Sequence, residues 1–361
     1  MKIILECFIN KESAPEFTYG LAKALKNNGV DVYAIIYEEI ENYRKWIELL
    51  GMDHLYIFCY PLSFRKNPIR SIASLAGVKA RAKNVQYDYL IDTFPMGMPR
   101  DISKYFMVKE KLCIDHDVIH HSSTSEALRK STNEKLSLFD GIIILSKTFL
   151  PVARIKHQGK AIYVLRHGAM EYPAIEAQVR YKNSYDVNYL YFGRIDGYKG
   201  LHVLSKAYKA LSKYHKNISL TIAGGGDFAE YKDEYACLLN CTVVNKYLDD
   251  AEIAYYFSKP NTVVVLPYLD GTQSGVIGMA FNYRTPVIVS DTGGLKEQLF
   301  DGEMGLFVEP GNFQDLQKKM EQFLCSKDLY AEQRKLMEEG FNKSTWDYVV
   351  KEFLKELGGD K

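Results

Sequence analysis

Strand-like and helical segments alternate along the first half of this sequence, and this alternation constrains the fold more than any other feature. Short apolar runs are separated by helical patterns such as Ala14 to Asn28, which ends at Gly29. Repeated βα units build a mostly parallel sheet with helices on both faces, and their ligands bind beyond the carboxyl ends of the strands. The predicted strands are Lys2 to Cys7, Val32 to Tyr37, Leu55 to Cys59, Tyr89 to Asp92, Lys111 to Asp115, Gly141 to Leu145 and Ala161 to Leu165.

A second βα series follows a segment without periodicity, residues 171–187, which is predicted to be a linker. The fold is therefore predicted as α/β, with doubly wound domains in residues 1–172 and 188–340 that face a central cleft. A C-terminal helix in residues 341–361 is predicted to cross back to the first domain. The second series comprises strands at Tyr189 to Phe192, Ser219 to Ala223, Thr242 to Val244, Thr262 to Leu266, Pro286 to Val289 and Leu306 to Val308, with later helices at about Asp315 to Leu324 and Trp346 to Leu357.

Charge and cysteine content exclude several classes of function. The 361 residues include 46 Lys and Arg against 45 Asp and Glu, so no net field favours nucleic-acid binding. The six cysteines have no metal-ligand spacing, and we expect reduced thiols in a cytoplasmic protein. The start, MKIILECF, is too short an apolar run for a signal peptide, and no span approaches 18 apolar residues.

The run NYLYFGRIDGYKG, residues 188–200, carries two cations just after a predicted strand. The strand stops at Gly193, Arg194 and Lys199 follow, and a helical pattern begins at Gly200. A strand end followed by a helix start presents backbone N–H groups to an anion, and the two side chains add a planar fork and a point charge. The segment predicts a site for a phosphorylated ligand, and an ordinary turn with solvated charges is the alternative.

Two further segments of the second half support an anion site. LTIAGGGD runs from a strand into three glycines, of which Gly224 is the first, although a tight turn needs glycines equally. LPYLDGTQSG places polar and small residues before a helix that starts at Gly275, so hydroxyls and N–H groups collect there. The alternative for this loop is a helix capped by Thr272 or Ser274 with no ligand. The loop residues concerned are Asp270, Thr272, Gln273 and Ser274.

The first half contains one cluster of histidines and one basic stretch. CIDHDVIHH places His116 just past a strand, at the edge where an α/β site lies, and His116 and His120 do not match the HExxH pattern of a metal site. His116 could bind a sugar hydroxyl or assist proton transfer, and a capping or packing role is the alternative. Residues 64–84 carry six cations and no acid, which predicts peripheral membrane contact through anionic lipid, or else a solvated face.

The motifs together resemble the retaining glycosyltransferases of family 4, which have the GT-B fold of two Rossmann-like domains. The matching pieces in order are YFGRIDGYKG, LTIAGGGD, VVVLPYLDGTQSG, RTPVIVSDTGGLKEQL and DGEMGLFVEPGN, over roughly residues 191 to 312, with weaker likeness at DHD, FDGIIILS and VLRHGA and in the closing NKSTWDYVVKEFLKEL.

The resemblance implies roles for the residues already singled out. It makes Arg194 and Lys199 the cations on a nucleotide diphosphate, with Gly193, Gly224 and Asp270 near the donor. It makes the loop from Thr272 through Gln273 and Ser274 to Gly275 a backbone cradle and places His116 beside the donor sugar. It also implies that no bound metal or other cofactor is needed, because these groups offset the charge of the leaving diphosphate.

One departure from the family pattern is important. The family often carries two glutamates eight positions apart, and those positions here are Gly271 and Met279, which leaves ribose recognition unassigned. The first βα turn, Phe8 to Ala14, also lacks the usual glycine pair.

The leading hypothesis is a transferase that moves a hexose from a nucleotide diphosphate sugar to a glycan or lipid-linked acceptor in bacterial surface polysaccharide synthesis. A catalytically silent GT-B subunit that stabilises a partner, and a GT-B sugar-nucleotide epimerase, are the alternatives.

Overall fold

The computed structural model describes residues 1–10, 13–60, 62, 65–95, 102–120, 125–169 and 185–359. These residues form two compact units, one made of Met1–His120, Thr124–Gly168 and Trp346–Lys361 and the other of Ala169–Thr345. Most of the predicted linker, residues 171–184, lies outside the described residues.

Within the described residues, the first unit contains a seven-stranded parallel sheet in the order β3-β2-β1-β4-β5-β6-β7. Ile, Val and Leu fill these strands on both faces, as expected for a parallel sheet covered by helices. The predicted strands are all present, with ends that shift by up to four residues. The elements are β1 (Lys2–Cys7), α1 (Ser13–Asn27), β2 (Asp31–Tyr37), α2 (Tyr43–Leu50), β3 (Leu55–Phe58), α3 (Pro68–Ala82), β4 (Gln86–Asp92), β5 (Met107–Asp115), α4 (Glu126–Leu136), β6 (Gly141–Ile144), α5 (Leu150–Lys156) and β7 (Ala161–Val164).

The second unit contains a six-stranded parallel sheet in the order β10-β9-β8-β11-β12-β13, counted over the described residues. Apolar clusters cover both of its faces. Its elements are β8 (Val187–Phe192), α6 (Leu201–Leu211), β9 (Ile218–Ala223), α7 (Lys232–Ala236), β10 (Cys241–Val244), α8 (Asp250–Phe257), β11 (Thr262–Leu266), α9 (Gly275–Tyr283), β12 (Val287–Ser290), α10 (Leu295–Gln298), β13 (Leu306–Val308), α11 (Phe313–Cys325) and α12 (Lys327–Ser344). The prediction of two doubly wound, Rossmann-like parallel sheets is therefore confirmed.

Helix α12 is an element that the sequence analysis did not predict. Its start is capped by Ser326, whose hydroxyl accepts from the N–H of Leu329 at 3.1 Å. Its fully buried residues are Gln333, Met337, Gly340 and Ser344, and its partly buried Leu329, Tyr330, Leu336 and Phe341 pack against the apolar cores. Polar and small residues interrupt the apolar ones on this face, which weakens the helical pattern in the sequence.

The final helix, α13 (Trp346–Gly358), packs on the first unit, as predicted for a C-terminal helix that crosses back. The Glu356 carboxylate accepts from the N–H of Val164 at 2.9 Å at the end of β7. The Trp346 ring lies against Gly20 and Gly168, where an added Cβ atom would come within 2.6 Å and 2.3 Å of it. The helix begins at Trp346, whereas the predicted boundary at residue 341 falls inside α12.

Candidate functional site

The strand order of the second unit reverses between β8 and β11, and the loops after these two strands meet at that point. A Cβ atom on Gly193, just after β8, would lie 3.5 Å from Cγ2 of Val276 in the first turn of α9. The N–H of Leu269, in the loop after β11, donates to the carbonyl of Tyr198 at 2.8 Å. The two predicted anion-binding segments are therefore neighbours in space.

Gly200 and Gly224 lie where the loops leave no room for a side chain. A Cβ atom on Gly200 would lie 1.9 Å from the carbonyl oxygen of Pro267, and the Gly200 φ of +72° is in the left-handed region. A Cβ atom on Gly224 would lie 2.0 Å from the carbonyl oxygen of Gly193. The structure thus gives Gly224 a packing role between the turns after β8 and β9, and its predicted contact with a donor stays a prediction.

Arg194 points its side chain toward solvent. The side chain is 61% exposed, and its guanidinium lies 3.4 Å from the Asp196 carboxylate. An exposed pair of this kind contributes little to stability, so its geometry can change when an anion arrives. The backbone of Arg194 is fixed, because the Tyr191 hydroxyl donates to its carbonyl at 2.8 Å.

Lys199 is a buried cation, with the whole residue only 9% exposed. A single turn of 3₁₀ helix, Gly197–Lys199, precedes α6, so the helix begins at Leu201 rather than at Gly200. The ammonium lies 3.8 Å from the ring centroid of Tyr268 and 4.8 Å from that of Tyr198. Burial lowers the pKa of Lys199, although the neighbouring Tyr198 opposes this shift.

The N-cap residue of α9 does not cap the helix with its side chain. Ser274 is the N-cap residue, but its hydroxyl contacts the Tyr268 hydroxyl at 3.1 Å instead of the helix backbone. Ser274 therefore does not cap the helix with its side chain, and a cap by Thr272 stays the alternative. Gly275 is exposed at the helix start, and backbone N–H groups in the first turn of a helix have no intrahelical carbonyl to bind. Anion binding at the start of α9 stays a prediction.

Gln298 at the end of α10 fixes the position of this helix start. Its side-chain oxygen accepts from the N–H of Ser274 at 2.8 Å, and its amide nitrogen donates to the Ser274 carbonyl at 3.4 Å. The carbonyl of Thr272 accepts from the N–H of Gly294 at 3.1 Å. Asp270 and Gln273 lie in the same loop and are partly exposed.

The two positions that depart from the glutamate pattern differ in their surroundings. Met279 packs against the apolar core beneath α9, so its side chain serves the core. Gly271 lies beside Tyr268, where an added Cβ atom would be 3.4 Å from the ring. Neither residue supplies a carboxylate to the site.

His116 belongs to the first unit and follows β5. Its Nε2 lies 2.7 Å from the carbonyl oxygen of Thr93, and because a carbonyl only accepts, Nε2 carries the proton. Burial lowers the pKa of His116, so the ring is neutral at pH 7 and Nδ1 is an acceptor. The ring stacks on Phe94 with centroids 4.2 Å apart and meets the edge of Phe17 at 5.3 Å.

A buried cluster that the sequence analysis missed anchors the strand end that carries His116. The carboxylate of Asp115 accepts from Lys156 at 2.8 Å and contacts Nε2 of His157 at 2.9 Å. Burial opposes the ionisation of Asp115, but the contacts with His157 and Lys156 outweigh it, so the pKa of this carboxyl is lowered. The cluster joins β5 to α5 and holds the chain just before His116 in place.

Several cations of the basic stretch have partners within the first unit. Arg70 pairs with Glu38, and Arg81 donates to backbone carbonyls that include that of Leu55 at 2.9 Å. The Lys79 ammonium lies 4.1 Å from the ring centroid of Tyr105. These contacts favour the solvated-face interpretation for these three side chains, and membrane contact stays a prediction.

The described residues contain neither a cluster of metal ligands nor a membrane-spanning helix. Over the described part of the chain, no group of three or more His, Cys, Asp or Glu side chains is arranged to hold a metal ion. None of the helices in that part has the length and apolar content needed to cross a bilayer.

The sequence of this chain is similar to those of known glycosyltransferases. Residues 176–341 match the family model described as glycosyl transferases group 1. An uncharacterised glycosyltransferase of Methanocaldococcus jannaschii is 24% identical over 92% of this chain and 90% of its own length.

Solved structures extend the similarity to the whole fold. Anabaena HepE, crystallised with UDP and glucose, superposes with a TM-score of 0.72 at 15% identity over 99% of both chains. The apo form of the lipopolysaccharide outer core galactosyltransferase WaaB superposes with a TM-score of 0.67 at 12% identity over 100% of both chains. The chain is thus an enzyme with the GT-B fold, and its residues 176–341 are similar to glycosyl transferases group 1.

Proposed function

We propose that this chain transfers a hexose from a nucleotide diphosphate sugar to a glycan or lipid-linked acceptor with retention of configuration. The observation that supports this most is the meeting of two anion-binding elements at one point in the second unit. The loop with Arg194 and Lys199 contacts the loop that leads to the start of α9. A diphosphate is the leaving group that such an arrangement fits.

The proposed reaction breaks the bond between the anomeric carbon and the donor phosphate oxygen. The acceptor hydroxyl forms the new glycosidic bond on the same face of the sugar, and its proton passes to the departing phosphate oxygen. Negative charge accumulates on the diphosphate in the transition state. Arg194, Lys199 and the first N–H groups of α9 stabilise that charge, and we propose that no metal ion is required.

In this proposal His116 acts as a hydrogen-bond acceptor. Its Nε2 is engaged with the carbonyl of Thr93, and its lowered pKa keeps Nδ1 unprotonated at neutral pH. A neutral Nδ1 can accept from a hydroxyl of the donor sugar, but it cannot supply a proton. Variants of His116 should therefore lose donor orientation rather than an acid catalyst.

The acceptor and the cellular setting are inferred from the motifs and the similar proteins. WaaB is named for the lipopolysaccharide outer core, which fits a bacterial surface polysaccharide as the product of this chain. A cytoplasmic enzyme with peripheral contact at the inner face of the membrane is part of the proposal. The basic residues 64–84 are the proposed contact.

The apolar residue at position 279 is compatible with a second candidate function, that of a catalytically silent subunit. Because this position contributes an apolar side chain to the core, the donor ribose lacks the carboxylate that the family often supplies. A catalytically silent subunit that binds nucleotide and stabilises a partner glycosyltransferase would tolerate that loss.

The test is donor turnover by the purified protein in EDTA. UDP-, GDP- and ADP-hexoses are supplied with water or a lipid-linked sugar as acceptor, and release of the nucleoside diphosphate is followed. We expect at least one donor to turn over, and Arg194→Ala to reduce the rate by about a hundredfold. Proton NMR should show that the first sugar anomer formed matches the donor.

Three outcomes would contradict the proposal. Nucleotide binding without turnover of any donor would favour the silent subunit. Formation of an epimeric free sugar would favour an epimerase, and the opposite anomer would exclude retention.

A further inference from the structure

Tyr268, the second residue after β11, lies at the centre of the candidate site. The side chain is fully buried. One face of its ring lies 3.8 Å from the Lys199 ammonium, and its hydroxyl lies 3.1 Å from the Ser274 hydroxyl at the start of α9. Burial raises the pKa of Tyr268 to about 12, so the hydroxyl keeps its proton at neutral pH. One side chain therefore contacts both anion-binding elements.

The two loops are held at a fixed separation around this ring. The Tyr198 and Tyr268 rings meet edge to face with centroids 6.2 Å apart. The carbonyl of Tyr198 accepts from the N–H of Leu269, and Gly200 lies directly against the carbonyl of Pro267. A smaller side chain at position 268 would leave a gap between the loops, because the backbone contacts around it are already close.

The aromatic surroundings also leave the charge of Lys199 available. Among the residues that the structure describes, the Lys199 ammonium takes part in no ion pair; it interacts with Tyr198 and with the more distant charges of Arg194 and Asp196. An aromatic face attracts a cation without cancelling its charge. A carboxylate in that place would compete with an incoming diphosphate for the same ammonium.

We propose that Tyr268 is a positioning residue for the diphosphate, which holds the Lys199 ammonium and the start of α9 in register through its ring and its hydroxyl. This inference rests on the proposed function, since it assigns the support of the same site. Tyr268 does not itself bind the nucleotide, and it acts through Lys199 and Ser274.

The experiment measures binding of UDP and UMP by calorimetry in EDTA, with GDP and GMP as the second pair. UDP should bind the unaltered protein more tightly than UMP, because only UDP reaches both anion-binding elements. We expect Tyr268→Leu to weaken UDP binding by about thirtyfold, which corresponds to a desolvated cation–π contact. The same substitution should weaken UMP binding much less. Tyr268→Phe keeps the ring and should lose about fivefold, the size of one hydrogen bond.

The matched control is Tyr189→Leu. Tyr189 is fully buried in the same unit, and its hydroxyl donates to the carbonyl of Met320 at 2.7 Å, away from both loops. Its loss should reduce stability without changing the ratio of UDP to UMP affinity. In a Lys199→Met background, Tyr268→Leu should weaken UDP binding by only about the fivefold that its hydroxyl contributes, because the cation that the ring positions is gone.

The outcomes separate this inference from the proposed function. If the unaltered protein binds no nucleoside diphosphate, the proposed function itself is wrong. If UDP binds well but Tyr268→Leu lowers UDP and UMP affinity equally, as Tyr189→Leu would, the inference is wrong and the function stands. If Tyr268→Phe weakened UDP binding as much as Tyr268→Leu does, the effect would belong to the hydroxyl, and the proposed role of the ring would be wrong.

Discussion

Replacing Lys199 with methionine should separate activity from stability. Methionine keeps an unbranched side chain in contact with Tyr198 and Tyr268 and removes the ammonium. Because burial lowers the pKa of Lys199, the charged form is unfavourable in the folded protein. We therefore expect the free energy of unfolding of Lys199→Met at pH 7 to equal or slightly exceed that of the unaltered protein.

The pH dependence of that difference has a definite sign. Between its lowered folded pKa and its ordinary value of 10.5, Lys199 binds fewer protons in the folded state than in the unfolded state. The stability advantage of the variant is fully present below the folded pKa. It should fade as the pH rises toward the ordinary value, and urea unfolding at several pH values measures it.

Activity should change in the opposite direction. Loss of a cation that stabilises the leaving diphosphate costs about a hundredfold or more in turnover, equivalent to about 2.7 kcal/mol or more. The assay is release of nucleoside diphosphate from the donor, and Lys209→Met, an exposed change in α6, is the control. Turnover within threefold of the unaltered protein would refute the role of Lys199. A melting temperature lowered by several degrees would show that the ammonium is needed for folding instead.

Three further predictions concern close packing at two glycines and the protonation of a buried histidine. Gly200→Ala should abolish nucleotide binding or folding, because its Cβ atom would overlap the carbonyl of Pro267, and circular dichroism with calorimetry distinguishes these results. Gly168→Ala should lower the free energy of unfolding by about 2 kcal/mol or more, because its Cβ atom would lie 2.3 Å from Trp346, and a change below 0.5 kcal/mol would contradict this packing. Burial lowers the pKa of His167 to about 4, so stability that is present above pH 6.5 should be lost as the pH falls toward 4, and His167→Phe should flatten that dependence in urea unfolding.

The strands could be predicted from the sequence because parallel sheets covered on both faces require continuous apolar runs. Every predicted strand is present, although β5 begins four residues earlier than expected, at Met107. Helix α12 could not be predicted in this way. On its inner face Gln333, Gly340 and Ser344 interrupt the apolar Leu336, Met337 and Phe341, so the helical pattern is weak.

The candidate site was predictable only in part. Arg194, Lys199 and the loop to Gly275 could be found because each follows a strand and precedes a helix start. Tyr268 and Gln298 were missed, since their importance depends on contacts between loops that are distant in sequence. A tyrosine two residues after a strand gives no local signal that distinguishes it from a core residue.

We expect the second unit to bind a nucleoside diphosphate through Arg194, Lys199 and the start of α9. The most direct measurement is thermal unfolding in EDTA with a panel of nucleoside diphosphates, repeated with Arg194→Ala and Lys199→Met. One diphosphate at about 100 times its Kd should stabilise the unaltered protein by about 2.7 kcal/mol, and either substitution should remove most of that gain. If no diphosphate raises the melting temperature, or if both variants respond as the unaltered protein does, the second unit does not bind a diphosphate in this way.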